Sequence, residues 1–145
     1  MKIQTLDTTN LDAIRTLVWK IFLKFEAPEY TQEGINNFKA FLDNSNIMET
    51  VEFWGAFEND VLVGIIAMRS ERSHVCLFFV DEGYQGQGIG RKLWNYVIEH
   101  TKVDSITVNS SPYAVEIYHA LGFKDTDIEQ TTDGIRYTPM KYANI

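Results

Sequence analysis

Residues 74–100 read HVCLFFVDEGYQGQGIGRKLWNYVIEH. Val75 to Val80 is an apolar run of strand length, and Asp81-Glu82-Gly83 is a polar turn after it. Gln85-Gly86-Gln87-Gly88-Ile89-Gly90 then leads directly into an amphipathic helix, with Ile89, Leu93 and Val97 at spacing four. Strand, glycine loop and helix in that order make an anion site out of backbone. Glycine lets the chain come close to a phosphate. The unpaired N–H groups of the first helical turn and the helix dipole then favour negative charge. Arg91 and Lys92 add cations to that turn, although a backbone site does not require them. A turn and helix start with no ligand is the plainer alternative.

Two familiar phosphate loops do not fit. No Gly-Lys-Ser/Thr is present, so the P-loop pattern fails. Gly86 and Gly88 match the first two glycines of a dinucleotide fingerprint, but position 91 is Arg and no matching βαβ unit surrounds the loop. The stretch instead resembles the acyl-CoA loop of the GNAT superfamily of N-acetyltransferases, Gln/Arg-x-x-Gly-x-Gly/Ala, with Gln85, Gly88 and Gly90 at the matching positions. A second resemblance lies downstream. Residues 109–123, NSSPYAVEIYHALGF, are similar to the family's Asn…Ala-x-x-(apolar)-Tyr-x-x-x-Gly-Phe.

Length and composition agree with a soluble globular chain. The 145 residues suffice for a sizeable core and are expected to form one domain, 1–145. Hydrophobic residues make up 45% and charged residues 23%, which is ordinary. The net charge of −7 argues against nucleic acid as a partner and leans mildly towards a cationic or amine-bearing one. A single cysteine, Cys76, excludes an internal disulfide and a cysteine-based zinc cluster. No apolar run is long enough to span a membrane. The N-terminus, MKIQTLDTTN, is too polar for a signal peptide, so the expected location is the cytoplasm.

Along the chain, residues 2–6 form a short strand candidate. Thr9 or Asn10 can cap a helix in which Leu11, Ile14, Leu17, Val18, Ile21, Phe22 and Phe25 recur at three to four. Glu26-Ala27-Pro28-Glu29-Tyr30 ends it, because proline cannot continue the ladder. Thr31 caps a second helix with Ile35, Phe38, Phe41 and Leu42 on one face. The runs 51–57 and 61–68 flank Glu58-Asn59-Asp60 and predict a hairpin. Gly64 in the second run signals a bulge or a close backbone approach. Strand 74–80 is apolar on both faces and should be central and covered on both sides. After the helix at about 89–101, residues 105–109 form a strand parallel to it through a right-handed crossover. Ser110 or Ser111, with Pro112, starts a last helix that Gly122 ends. Strands at about 123–131 and 135–142 turn at Thr132-Asp133-Gly134.

The expected fold is therefore α/β, a central mixed, mostly antiparallel sheet flanked by helices in the order β-α-α-β-β-β-α-β-α-β-β. That is also the element order of a GNAT domain. The resemblance implies an acetyl-CoA-dependent N-acetyltransferase acting on a primary amine, either a small molecule or a peptide amine, by direct attack in a ternary complex. It implies that the pantetheine arm lies between the two parallel strands and bonds to the backbone of Phe78, Phe79 and Val80. An N–H near Phe79 or Val80 would then meet the thioester oxygen. It assigns the pyrophosphate to Gln85, Gly86, Gln87, Gly88, Ile89, Gly90 and Arg91, a coenzyme A contact to Asn109, and the general acid to Tyr118. A phenol can donate to a thiolate that would otherwise leave charged. A core tyrosine is the alternative for Tyr118, and a turn residue for Asn109.

Some family members carry a glutamate base on the central strand. That strand here holds His74 and Cys76 but no carboxylate before Asp81. His74 is the candidate base, acting through water, because histidine titrates near neutrality. Glu71, Glu26 and Tyr30 are alternatives. Glu82 stands where the family often has proline and puts a negative charge beside the loop. A non-catalytic acyl-CoA-binding module on the same fold is the other functional reading. The oligomeric state, a homodimer included, stays open.

Overall fold

The computed structural model describes residues 1–69 and 71–143. Its strands are β1 (Lys2–Leu6), β2 (Glu52–Glu58), β3 (Val61–Arg69), β4 (His74–Val80), β5 (Ser105–Ser110), β6 (Lys124–Asp125), β7 (Gln130–Thr132) and β8 (Ile135–Ala143). Its helices are α1 (Leu11–Ile21), α2 (Gln32–Asp43), a short α3 (Ser45–Met48), α4 (Ile89–Thr101) and α5 (Val115–Leu121). The sheet runs β1-β2-β3-β4-β5-β8-β6, with β7 pairing to β8. Only β4 and β5 run parallel among the described residues. The expected α/β architecture is thus present, with β4 at its centre.

Apolar residues on both faces of β4 explain its central place. One core lies beneath α4 and α5 and contains Trp54, Ile66, Val75, Leu93, Val97 and Tyr118. The other lies beneath α1 and α2 and contains Ile14, Val18, Phe22, Ile65, Leu77 and Phe79. Simple alternation would put Val75, Leu77 and Phe79 on one face. The register explains why they divide. Met68 faces Val75 and Ala67 faces Leu77, so Cys76 is an extra residue in β4. This bulge reverses the parity of the strand beyond it and bends it.

The bend has its main effect on the other side of β4. Pairing with β5 is limited to His74↔Thr107 and Val75↔Val108. From Cys76 onwards the two strands diverge. A second bulge sits at Val63, since Ala56 faces Gly64 and Phe57 faces Leu62. Gly64 next to it also provides the close approach expected of it. A Cβ there would lie 3.1 Å from Leu93 Cδ1 and 3.3 Å from Ile89 Cγ2, so the missing side chain admits α4.

Several boundaries differ from the sequence reading. Asp7, rather than Thr9 or Asn10, caps the first helical segment, its side chain accepting from Thr9 N–H at 2.9 Å. The stripe ending at Phe25 is α-helical only to Ile21. Phe22–Glu26 is a π turn in which Ala27 N–H bonds back to Phe22 C=O. Pro28 has no N–H for the next bond, and the helix gives way just before it. Ser111 precedes a 3-10 turn, Pro112–Ala114, before α5 begins. Thr31 caps α2 as expected, accepting from Gly34 N–H at 3.2 Å.

The joint at 22–31 is fastened from two sides. Lys20 pairs with Asp81 at 2.7 Å, and Lys24 pairs with Glu82. Arg136 on β8 bonds Glu29 at 2.8 Å. The β7–β8 turn also presses on α2: Thr31 N–H donates to Gly134 C=O at 3.3 Å, and Asn37 donates to Asp133 C=O at 3.0 Å. A Cβ on Gly34 would fall 2.2 Å from Gly134 O, a backbone atom that cannot swing aside. Gly34→Ala should therefore displace this turn and lower stability by about 1–3 kcal/mol, the usual cost of overpacking. Urea denaturation at pH 7 tests this, and parental stability in the variant would mean that the turn does not bear on α2.

Candidate active site

Where β4 and β5 part, two cavities open and meet. The first, about 340 Å³, is bounded by Phe78 to Val80, the loop residues Gln85, Gly86 and Gly88, and the face of α5. The second, about 300 Å³, lies towards α2, with Phe38 and Phe41 on one wall and Asn109 and Ile135 on another. Glu26, Phe78, Phe79, Ala114 and Tyr118 line both.

The glycine loop has the backbone geometry expected of it. Gly86 and Gly88 take φ of +80° and +79°, which other residues adopt only with strain. A Cβ at either would meet no atom within 4 Å, so the loop borders open space. Gly88 caps α4, and Lys92 N–H makes the first helical bond to its carbonyl at 3.0 Å. The N–H groups of Ile89, Gly90 and Arg91 precede that bond and belong to the orphan donors of a helix start. Two side chains of the loop are engaged with protein. Gln85 donates to Val80 C=O at 3.0 Å, and the Arg91 guanidinium donates to Ala120 C=O at 2.6 Å. Gln87 is exposed and Ile89 is buried. The negative charge of Glu82 is compensated by Lys24.

Tyr118 is buried, its ring edge-on to Phe78 at 6.1 Å and to Phe123 at 5.2 Å. Burial, and then the negative groups near it, Glu26 first, hold its phenol well above the ordinary tyrosine range. It therefore keeps its proton throughout the physiological range. Asn109 borders the second cavity rather than the first. Cys76 is half-buried at the bulge and lines the second cavity, where burial pushes its thiol up to about 11.

His74 is not brought to this junction. It stands at the start of β4, lines neither cavity, and its Nδ1 lies 2.7 Å from Thr107 Oγ1. Burial, and then the charge of Arg69, pull its pKa down to about 4, so it is neutral at pH 7. The titratable group at the junction is Glu26, delivered by the π turn from the far side of the sheet. Glu26 is half-buried and borders both cavities. Burial pushes its pKa up to about 7, against hydrogen bonds from Ser111 and Tyr30 that favour the charged form. Tyr30 is in turn raised by burial and by Glu26. Tyr113, not singled out from the sequence, closes the mouth of the first cavity. Its ring stacks on Phe25 at 4.8 Å and its hydroxyl reaches Gln85 Oε1 at 3.4 Å. No local pattern marks Tyr113, because only the fold brings Phe25 to it.

A parallel strand pair that opens onto a helix N-terminus in this way marks the acyltransferase class. The family model described as an acetyltransferase (GNAT) domain matches residues 26–144, and the chain belongs to that family. Solved structures agree on the fold. A GCN5-related N-acetyltransferase from Rhodopseudomonas palustris superposes with a TM-score of 0.83 at 15% identity, covering 98% of this chain and 94% of that one. The PaiA N-acetyltransferase of Thermoplasma acidophilum, in complex with coenzyme A, gives 0.74 at 18% identity and covers 99% of each chain. An aminoglycoside 6'-N-acetyltransferase complexed with coenzyme A gives 0.68 at 14%, covering 100% and 98%. No curated protein matches the sequence significantly.

Glu26 makes stability depend on pH. Its folded pKa, about 7, lies above the ordinary 4.5, so the native state holds the proton more tightly between those values. The native carboxyl costs nothing below pH 4.5, and stability falls as pH rises towards 7. Glu26→Gln removes the buried charge. Its melting temperature should exceed the parent's at pH 8 and match it near pH 4.5. At about 1.4 kcal/mol per pKa unit the gain is at most about 3.5 kcal/mol, and cavity water lowers it. Paired thermal scans at the two pH values check this, and a variant less stable than the parent at pH 8 would contradict it.

Proposed function

We propose that the protein transfers an acetyl group from acetyl-CoA to a primary amine by direct attack in a ternary complex. The observation that carries this reading is the position of Tyr118, on the lining of both cavities where β4 and β5 part. An acetyl donor in one cavity and an amine in the other would meet beside its hydroxyl.

The first cavity suits the donor. On the edge of β4 that β5 leaves unpaired, backbone groups of Phe78 and the N–H of Val80, with Phe79 between them, can bond the amides of a pantetheine arm as an added strand would; the Val80 carbonyl already accepts from Gln85. Of the two N–H groups expected at the thioester oxygen, that of Val80 faces the parted edge and can meet the developing negative charge, whereas Phe79 pairs with Ile65 on β3. The loop from Gln85 to Arg91 offers the pyrophosphate a helix N-terminus and the open space above Gly86 and Gly88. The coenzyme A bound by two structural neighbours is in keeping with such a donor. Asn109 is nearer to the amine's side of the junction.

In the reaction the amine nitrogen bonds to the acetyl carbon, and the carbon–sulfur bond breaks. The departing thiolate takes the proton of Tyr118. Because the phenol stays protonated at neutral pH, it is an acid there and not a base. Cys76 is a poor nucleophile, since a thiol pushed to about 11 is almost wholly protonated at pH 7. This favours direct attack over an acetyl-cysteine.

Two experiments test the reading. Gly88→Val places a branched side chain in the space above the loop and should weaken acetyl-CoA binding at least tenfold by calorimetry, with the fold verified by circular dichroism. Undiminished affinity in a folded variant would detach the loop from the donor. Tyr118→Phe should lower kcat about 10²–10⁴-fold at saturating acetyl-CoA while leaving the acetyl-CoA Kd nearly unchanged, because the donor acts as the thiolate leaves. Turnover within about twofold of the parent across pH 6–9 would make Tyr118 a core residue, and the protein a binding module.

A further inference from the structure

The second cavity has an apolar outer wall. Phe38, Phe41, Phe79 and Ile135 give it an aromatic and aliphatic surface. The Phe38 ring is fixed by stacking on Phe22 at 4.0 Å and lies against Phe79 at 6.3 Å. Beside Glu26 its polar lining is uncharged: Tyr30, Asn37, Cys76, Asn109, Ser111 and Tyr118. Asn37 donates to Asp133 C=O, and Cys76 lies 3.5 Å from Ala67 O. Among the described residues that line it, Glu26 is the only carboxylate, and it sits at the inner end beside Tyr118. Glu29 of the joint and Glu129 do not line it, and both pair with Arg136.

A ligand for this cavity needs one cation to meet one carboxylate. A second ammonium would find no second carboxylate on the lining, and leaving water without charge compensation is costly. We propose that the acceptor is a compact primary monoamine with an apolar body, and that Glu26 is the base that removes its proton. The proposal rests on the acetyltransferase reading above and adds the acceptor class and the base.

The proton balance closes at this site. The amine enters as an ammonium ion and gives one proton to the Glu26 carboxylate, which passes it to water in the cavity. The neutral nitrogen attacks, the carbon–nitrogen bond forms, and the carbon–sulfur bond breaks. The thiolate takes the Tyr118 proton, and the surplus proton on nitrogen restores the phenol. A carboxyl whose buried site brings it to about 7 is a stronger base than an exposed glutamate and is still about half ionised at neutrality. The groups that face it are Tyr30 from the joint, Ser111 from the turn before α5 and Tyr118 from α5, and Cys76 of β4 lies near Tyr118 in turn. None of them ionises near pH 7: both phenols are raised, and so is the thiol. The lysines of the same segment, Lys20 and Lys24, are drawn off to Asp81 and Glu82. The acid limb of the rate profile should therefore belong to Glu26.

The experiment measures thiol release from acetyl-CoA with 2-phenylethylamine, spermidine, kanamycin and a short peptide with a free N-terminus. For the parent, kcat/KM should be at least tenfold higher with 2-phenylethylamine than with the others, with a limb near pH 7. Glu26→Gln should lower that rate about 10²-fold or more, abolish the limb, and leave acetyl-CoA affinity unchanged. Glu26→Asp, which restores a carboxylate, should recover the limb at reduced rate. If spermidine, kanamycin or the peptide is preferred, the monoamine assignment falls while acetyl transfer stands. If Glu26→Gln keeps both rate and limb, Glu26 is not the base. If no amine is acetylated although acetyl-CoA binds, the acetyltransferase reading falls and this proposal with it.

Discussion

The structure depends on how briefly β4 and β5 are paired. Two residue pairs hold them together, and the extra residue at Cys76 begins where the pairing stops. Beyond that point β4 keeps its full partnership with β3, so the sheet does not lose its centre. It does lose backbone bonding on one side, and unpaired strand groups away from bulk water are costly. A cleft that can accept an added strand offsets that cost when something fills it. The same bulge sends Leu77 and Phe79 to the α1–α2 core and leaves Phe78 and Val80 for the other. One inserted residue thus opens the cleft and divides the packing around it.

The parts of this arrangement that depend on neighbours in sequence were legible before the structure. The glycine loop, the α4 stripe, the Thr31 cap and the Gly122 stop are local patterns with local causes. The bulge at Cys76 was not. Within the unbroken apolar run from Val75 to Val80, a skipped parity leaves no mark, because both faces are buried. The π turn was hidden for a similar reason, since the apolar spacing continues through Phe22 and Phe25 whether the helix loosens or not. Glu26 was legible only as one of three alternatives to His74 as base, on a connection between helices. What distinguishes it comes from distant residues, Ser111 and Tyr118, and no local pattern records them. His74 drew attention because of its residue type, but its position beside Thr107 leaves it outside the junction.

Charge contributes less to the site than it first seems to. The ion pairs around the joint are exposed, and such pairs are worth about 0–1 kcal/mol each. What holds Glu26 in place is aromatic packing on either side of it. Phe22 stacks between Trp19 and Phe38, and Phe25 stacks on Tyr113. The ion pairs have a different effect: they neutralise Glu82 beside the loop and Glu29 beside the joint, leaving Glu26 as the charge that a ligand meets within the second cavity.

The two cavities draw on different parts of the chain. The first is built mainly from one continuous run, from the middle of β4 through the glycine loop, together with α5. The second takes its outer walls from α2, the end of β5 and the start of β8, elements that meet only in the folded chain. Substitutions at Asn37, Phe41 or Ile135 can accumulate without touching the loop or the parted strands. Such a division lets one half of the site drift under selection while the other is held constant. A lineage built on this scaffold can change what it accepts long before it changes what it spends.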